Sequence, residues 1–292
     1  MRVLIAGASG LIGTPLVTAL REAGHNVRRL VRREARAAGE YSWDPPAGRI
    51  DEHALDGVDT VINLCGYPVG MRWSAARKQM ISDSRVEPTE VLAEAVAERG
   101  VPSLINASGI NFYGDTGETV VDESCPRGQG FLAGLCENWE GATATASRAG
   151  ARVVLLRTGI VLGPGGLLKP LKPLFRIGLG GRLGGGKQYM PWISLRDEVA
   201  AILFLVEHET LSGPVNLCVP DPVTNAEFTR TLARALHRPA PWWVPADALR
   251  IVLGEAADEL ALVSIRAVPQ VLEKAGFAFA DTDIDRALTA AL

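Results

Sequence analysis

MRVLIAGASGLIGTPLVTALREAGHNVRRLVRR, residues 1–33, decides the fold. Val3 to Ala6 form a short apolar run. Gly7, Gly10 and Gly13 follow at the spacing GxxGxxG, and Leu11, Ile12, Leu16, Val17 and Leu20 then recur at helical spacing. Gly24 stops that helix, and Val27 to Val31 read as a second strand. A glycine triplet alone is weak evidence. One that opens a helix directly after an N-terminal strand is strong evidence for a dinucleotide site. Gly7 supplies backbone angles closed to side-chain-bearing residues, Gly10 leaves room for a pyrophosphate, and Gly13 lets the helix pack against the sheet. The helix N-terminus offers unpaired amides and a partial positive charge. The contacts expected of this turn are Gly7, Ser9, Gly10, Leu11, Ile12 and Gly13.

The end of the second strand bears on which dinucleotide. An NAD site carries Asp or Glu there to accept from the ribose hydroxyls. Here the strand runs out as Leu30-Val31-Arg32-Arg33, with no acid until Glu34. Two guanidiniums suit a 2′-phosphate by charge and by fork geometry, so NADP is favoured over NAD. The plainer reading is that surface arginines follow a strand, since Arg28, Arg29 and Arg36 are also present.

Outward from this stretch, strand and helix signals alternate. Asp59 to Leu64 is a third strand, Ile81 to Arg99 a helix, and Leu104 to Ala107 a fourth strand. Glu137 to Ala149 lies in a helix, and Ala151 to Leu156 is a fifth strand. This alternation implies an α/β protein, a Rossmann-type doubly wound parallel sheet whose ligands sit beyond the carboxyl ends of the strands. From Gly163 the texture turns rich in Gly and Pro. Leu195 to Val206 returns to helix, Pro214 to Val219 to strand, and Thr224-Asn225 cap a helix through Leu236. Ala246 to Leu262 is helical, and Asp283 to Leu292 is an amphipathic helix. The expected division is a Rossmann domain over residues 1–163, with 195–219 interleaved. A smaller, mainly helical C-terminal substrate lobe covers 164–292, of which 240–292 is a small helical domain. Gly181 to Lys187 matches GxxxxGK, but Gln188 replaces the Ser or Thr of a P-loop and no strand precedes it. A flexible loop over the mouth of the site is the better reading.

Composition excludes several classes. The 292 residues are 47% hydrophobic and 22% charged, an ordinary globular balance. Thirty basic against 33 acidic residues give a net charge of −3, which points to neither nucleic acid nor an anionic membrane surface. No apolar run approaches the ~20 residues of a membrane span. Cys65, Cys125, Cys136 and Cys218 are scattered without CxxC, which suits reduced thiols in a cytoplasmic setting. The first strand starts almost at once, so no signal peptide is expected. His25, His53, His208 and His237 are isolated from one another, and no metal site is expected.

GASGLIG, NLCG (Asn63 to Gly66), Arg72-Trp73, Ser84-Arg85, FYGDTGE (Phe112 to Glu118), RTGIVLGPGG (Arg157 to Gly166) and PVTNAEF (Pro222 to Phe228) occur in that order. Together they resemble the atypical extended short-chain dehydrogenase/reductases, epimerase-family proteins with a C-terminal domain of unknown function. The resemblance covers nearly the whole chain. It implies an NADP-binding Rossmann domain with a C-terminal lobe over the nicotinamide. It also implies Arg32 and Arg33 near the 2′-phosphate, Asn63, Leu64 and Gly66 along the ribose and adenine, and Arg85 and Val161 as further cofactor contacts. Dimers through helix pairs are common in the wider family, which leaves a homodimer open.

Ordinary members carry a Ser or Thr and then Tyr-x-x-x-Lys, in which the lysine lowers the tyrosine's pKa. Here Tyr41, Tyr67, Tyr113 and Tyr189 are followed four residues on by Pro45, Met71, Gly117 and Ile193, so the pair is missing. Aligning Glu140 with the acid that often follows the lysine puts Leu132 and Cys136 in the Tyr and Lys places. Ser108 still sits where the catalytic Ser or Thr is expected. Tyr113 and Asp115 could face the same crevice, and Ser108 and Tyr113 are the catalytic candidates. The plainer readings are a hydroxyl satisfying local backbone for Ser108 and a packed aromatic for Tyr113. Arg72-Trp73 either grips a substrate or anchors a loop, and Trp242-Trp243 reads as packing or an interface. Two functions follow. One is an NADP-dependent oxidoreductase or epimerase acting on a small polyol, ketone or sugar-like substrate. The other is an NADP(H)-binding scaffold or redox sensor with little turnover.

Overall fold

A computed structural model describes residues 1–292. The strands of the first half are β1 (Arg2–Ala6), β2 (Asn26–Val31), β3 (Glu40–Asp44), β4 (Arg49–Ile50), β5 (Thr60–Asn63), β6 (Ser103–Gly109) and β7 (Val120–Val121). The second half adds β8 (Arg152–Thr158), β9 (Ile160–Leu162), β10 (Gly181–Leu183), β11 (Tyr189–Met190) and β12 (Trp192–Ser194). After these come β13 (Gly213–Leu217), β14 (Val223–Thr224), β15 (Trp242–Val244) and β16 (Arg266–Ala267). The helices are α1 (Gly13–Glu22), α2 (Ala75–Arg99), α3 (Phe131–Gly141), α4 (Ala144–Arg148) and α5 (Leu168–Arg176). They continue as α6 (Leu195–Glu207), α7 (Asn225–Ala235), α8 (Ala246–Leu253), α9 (Gln270–Lys274) and α10 (Ile284–Ala291).

Eight strands form one sheet in the order β13-β8-β6-β5-β1-β2-β3-β4, parallel throughout except for the β3–β4 pair at the edge. The chain winds outward from β1 through β2 to β3, then returns to the other side of β1 with β5. The order reverses between β1 and β5, and in sheets of this kind that switch point is where a ligand crevice opens.

Successive side chains of a strand point to opposite faces, and each face has its own core. Val3, Ile5, Ile62 and Ile105 pack with Leu16 and Leu20 of α1 and Ile202 and Leu205 of α6. Leu4, Ala6, Val61 and Leu104 pack with Leu92 and Val96 of α2 and Ala146 of α4. Each fully buried Leu, Ile or Val contributes roughly 1.5–3 kcal/mol relative to exposure, so the double winding follows from burying both faces. A third core joins Trp192, Phe228, Leu232, Ile284 and Leu288, tying α7 and α10 to the region after β8. No helix is long and apolar enough to cross a membrane.

Several elements differ from the sequence reading. β3 was not expected, because EYSWD is short and buries only Trp43. α5 lies in the stretch read as irregular. Its Pro170 falls in the first helical turn, where no intrahelical N–H is required, while Pro173 lies inside the helix and forgoes one backbone bond, so the two prolines conceal the helix. The helix expected over Ile81–Arg99 begins earlier, at Ala75, where Ser74 accepts from the Arg77 amide. The Glu137–Ala149 helix is two, α3 and α4. The region Ala246–Leu262 breaks at Gly254 into α8 and a single π-turn over Ala257–Ala261.

One buried acid carries a pH signature. Glu198 is fully buried in the first turn of α6; its Oε1 accepts from Thr158 Oγ1 at 3.0 Å and its Oε2 has no partner. Burial pushes its pKa up to about 8. The folded chain therefore holds a proton at neutral pH that the unfolded chain releases. Stability from this group is present in acid and is lost as pH rises from about 5 through about 8. Glu198→Gln should flatten that decline and raise stability at pH 8 by ~1–3 kcal/mol. Urea midpoints across the pH range would show it, and an unchanged slope would count against the protonated acid.

Candidate functional site

The β1–α1 turn is held open by contacts that only glycine permits. Gly7 has φ +82°, and a Cβ there would lie 2.7 Å from the Leu64 carbonyl oxygen. A Cβ on Gly13 would collide with the Gly7 carbonyl oxygen and the Ala8 backbone. The turn is pinned by the Gly10 amide donating to Gly7 O at 3.1 Å and the Thr14 amide donating to Gly10 O at 3.1 Å. The amides of Leu11, Ile12 and Gly13 have no acceptor in the chain, and no side chain caps α1. Three free donors at a helix N-terminus form a site for a phosphate or another anion.

The turn forms the floor of a cavity of about 1040 Å³. Its walls come from the carboxyl ends of three adjacent strands. Gly7, Ser9 and Gly10 follow β1, Arg32 and Arg33 follow β2, and Leu64 and Gly66 follow β5. The parallel sheet is what brings these residues together. The Leu11 side chain packs under Gly163, Gly165 and Gly166, so the GPGG segment after β9 closes over the turn.

The two arginines are not equivalent. Arg33 makes a fork to Glu40, Nη1 to Oε2 at 2.9 Å and Nη2 to Oε1 at 2.8 Å. Hydrogen bonds from Arg33 and from the Arg36 amide hold the Glu40 carboxyl down to about 2, so it stays ionised. Arg29 approaches the same carboxylate at 3.4 Å. Arg32 is exposed on the rim with no ion pair or hydrogen bond in the chain. Sequence reasoning missed Glu40 because it stands on the unexpected β3. The acid it sought at the end of β2 is supplied by the neighbouring strand, already neutralised.

Other expected contacts have inward roles. Asn63 is fully buried; its Nδ2 donates to Asn106 Oδ1 at 2.8 Å and to Thr89 Oγ1 at 2.9 Å. Its Oδ1 accepts from the Cys65 amide at 3.1 Å, which shapes the wall at Cys65 and Gly66. Arg85 donates to Tyr67 O at 3.0 Å and Ile81 O at 2.9 Å, lies over the Trp139 ring and packs beside Gly66. Val161 sits in β9 beside Ile193 of β12 and packs on the first core.

Beyond the cavity, the end of β6 carries Ser108 at the head of a buried polar chain. Ser108 Oγ donates to Glu140 Oε1 at 2.7 Å. Arg157 clamps the same carboxylate through Nε at 2.8 Å and Nη2 at 2.9 Å. Arg157 also donates to the Tyr113 hydroxyl at 3.0 Å and lies 3.5 Å over the Phe112 ring. Burial pulls the Arg157 guanidinium down, and the Glu140 carboxylate more than offsets that, so it remains charged. Tyr113 in turn donates to Asn216 Oδ1 at 2.8 Å.

This arrangement corrects the expectation that Tyr113 faces the crevice. Tyr113 is 3% exposed, both sides of its hydroxyl are engaged, and burial pushes its pKa up to about 12. Asp115 turns outward to accept from the Gly117 and Ser264 amides. Leu132 and Cys136, in the Tyr and Lys places, are both buried in α3, and burial pushes the Cys136 thiol up to about 12. The Glu140–Arg157 pair was the missed feature. An arginine ending the apolar run of β8 was its one visible signal in the sequence.

Two further expectations change. The 181–187 stretch is not a loose loop, because β10 pairs with β15 and the Gln188 side chain ties the turn to Leu183 O and Ala261 O. Trp73 anchors its own loop through Nε1 to Val69 O at 2.9 Å, while Arg72 donates to Ile251 O of α8. Trp242 and Trp243 are more than half exposed on β15.

A mostly parallel sheet whose strand order reverses beside a glycine turn defines a Rossmann-type extended short-chain dehydrogenase/reductase fold. Residues 3–218 match the NAD dependent epimerase/dehydratase family, and the chain belongs to it; residues 244–291 match a domain of unknown function, DUF1731. An epimerase family protein of Mycobacterium bovis is 54% identical over 288 residues, covering 98% of this chain and 96% of that protein. The crystal structure of human epimerase family protein SDR39U1 with NADPH superposes with a TM-score of 0.91 at 30% identity, covering 100% of this chain and 99% of that one. A nucleoside-diphosphate sugar epimerase of Corynebacterium glutamicum gives 0.84 at 36% identity, covering 100% of this chain and 58% of that one.

The turn's geometry fixes what substitution does. Gly13→Ala should force the α1 start away from the Gly7 carbonyl, costing ~1–3 kcal/mol as overpacking does. Chemical denaturation measures it, and an unchanged midpoint would contradict the close packing.

Proposed function

We propose that this chain binds NADP(H) across the β1/β5 switch point and works as an epimerase-like oxidoreductase on a small substrate without a Tyr-x-x-x-Lys pair. The observation that carries the reading is the set of three unpaired amides of Leu11, Ile12 and Gly13 next to the Gly7–Gly10 turn that floors the cavity, with an unpartnered arginine on that cavity's rim. The donors suit a diphosphate, the cavity reaches the end of β2, and the carboxylates on that side, Glu40 and Asp44, are paired with Arg33 and Arg49. The human relative was solved with NADPH, which supports the same choice.

In this reading Leu11, Ile12 and Gly13 hold the diphosphate through their amides, and Ser9 and Gly10 border it. Arg32 receives the 2′-phosphate, while Arg33 keeps Glu40 neutralised. Leu64 and Gly66 line the adenosine side. When bound, the nicotinamide supplies or accepts a hydride. Ser108 is the group that hydrogen-bonds a substrate oxygen. Its proton is held by Glu140, so as it stands its oxygen accepts from a substrate hydroxyl, and it donates to a carbonyl oxygen only on turning away from Glu140. Arg157 keeps Glu140 charged and in place. Tyr113 supports Arg157 from inside the protein and takes no proton, since its hydroxyl is spoken for.

A second reading, a coenzyme-holding scaffold or redox sensor, is favoured by the buried, fully bonded Tyr113 and the apolar Leu132. Absorbance of the reduced nicotinamide during incubation with a carbonyl panel separates the two. Turnover that Ser108→Ala lowers at least tenfold while Tyr113→Phe leaves it within threefold is expected of the enzyme. Tight NADPH binding without turnover is expected of the sensor.

For the coenzyme, Arg32→Ala should weaken NADPH roughly 10- to 150-fold, the equivalent of one charge-assisted bond of ~1.5–3 kcal/mol, and leave NADH almost unchanged. Calorimetry with both coenzymes decides it. Equal loss for both would overturn the 2′-phosphate assignment.

A further inference from the structure

Resting on the coenzyme reading above, the geometry points to an uncharged carbonyl compound with an apolar body as the substrate, and away from a nucleoside-diphosphate sugar. The end of β6 touches α3, where a Cβ on Gly109 would lie 3.3 Å from Cys136 Sγ. One turn earlier on α3 stands Leu132, and it belongs to an apolar cluster that joins four separate parts of the chain. Tyr67, Val69 and Trp73 come from the segment after β5, Ile81 from α2, Phe131, Leu132 and Leu135 from α3, and Leu260 from the π-turn of the C-terminal lobe. Trp73 and Phe131 meet edge to face at 5.1 Å. Tyr67 also lines the coenzyme cavity, so the cluster borders it on one side, and on the other Cys136, one turn along α3 from Leu132, reaches the end of β6. A compound that reaches Ser108 between the two lobes is therefore bordered by aliphatic and aromatic side chains.

A diphosphate needs cations or free amides. Beside this cluster the first two α3 amides and the nearest cations are already committed, mostly to the C-terminal lobe. The first two amides of α3, Phe131 and Leu132, donate to Glu259 Oε1 and Oε2 at 2.8 and 2.7 Å. Lys78 is paired with Glu255 and Arg72 with the Ile251 carbonyl. Arg157 is spent on Glu140. Glu255 and Glu259 thus place two carboxylates where a nucleotide sugar would bring two more negative charges. Arg182 of β10 and Lys187, which have no ion pair, flank the turn bonded to the start of α7 through the Ala226 amide and Gly186 O.

The test is calorimetry on full-length protein already saturated with NADPH, titrated with 2-butanone through 2-octanone and, separately, with UDP-glucose. Affinity for the ketones should rise about fourfold per added methylene, the transfer value of a buried CH₂. UDP-glucose should give no binding at millimolar concentration. Leu260→Gln should weaken 2-octanone at least fivefold, with NADPH binding by the same variant reporting that it is folded. Tighter binding of UDP-glucose than of any ketone would overturn the inference. So would absence of ketone binding, affinity independent of chain length, or indifference to Leu260→Gln. Failure to load NADPH is seen before any ketone is added, and it would overturn the coenzyme reading and this inference together.

Discussion

The constraint on which the rest depends is the packing of α1 directly onto the β1 turn. Because Gly13 sits against the Gly7 carbonyl, the helix begins before any side chain can cap it, and three amides are left pointing out of the chain. Unpaired buried or half-buried donors are costly, so a fold keeps them where something else satisfies them. The sheet puts the ends of β2 and β5 beside that turn. That backbone contact shapes the floor of the cavity, and the parallel sheet sets the order of its walls.

The chemistry end of the crevice is organised on a different principle. A charged pair, Glu140 with Arg157, lies beneath Ser108, sealed by Phe112, Tyr113 and Asn216. A buried pair of this kind is a weak source of net stability, but removing either partner leaves an uncompensated charge, so the geometry is held rigidly. The alignment that sets Glu140 beside the acid after the usual lysine puts Leu132 and Cys136 of α3 in the Tyr and Lys places, and the polar group left at the end of β6 is Ser108 with its carboxylate partner. The C-terminal lobe completes this end, because Glu259 caps α3 and Leu260 packs beside Leu132.

What was legible in the sequence follows from which forces act locally. The parallel strands and α1 could be read from residues 1–33 and the later apolar runs, because burial of both sheet faces writes itself as continuous hydrophobic stretches. The glycine turn could be read because its requirement for small residues is local. β3 could not, since EYSWD buries one side chain and exists mainly through pairing with β2. That omission hid Glu40 and made Arg32 and Arg33 look alike. α5 was hidden by its prolines, Pro170 in the first turn and Pro173 inside the helix. Tyr113 was misplaced because its neighbours Arg157 and Asn216 lie 44 and 103 residues away. The pairing of Arg72, Lys78 and Glu259 was equally invisible, for it joins segments separated by more than a hundred residues.

The most direct measurement is backbone amide NMR of ¹⁵N-labelled protein titrated with NADPH. The amides of Leu11, Ile12 and Gly13 should show the largest downfield shifts, as each gains an anionic acceptor it lacked. Saturable binding that leaves those three resonances unmoved, with the shifts clustered elsewhere, would contradict the role assigned to the α1 N-terminus.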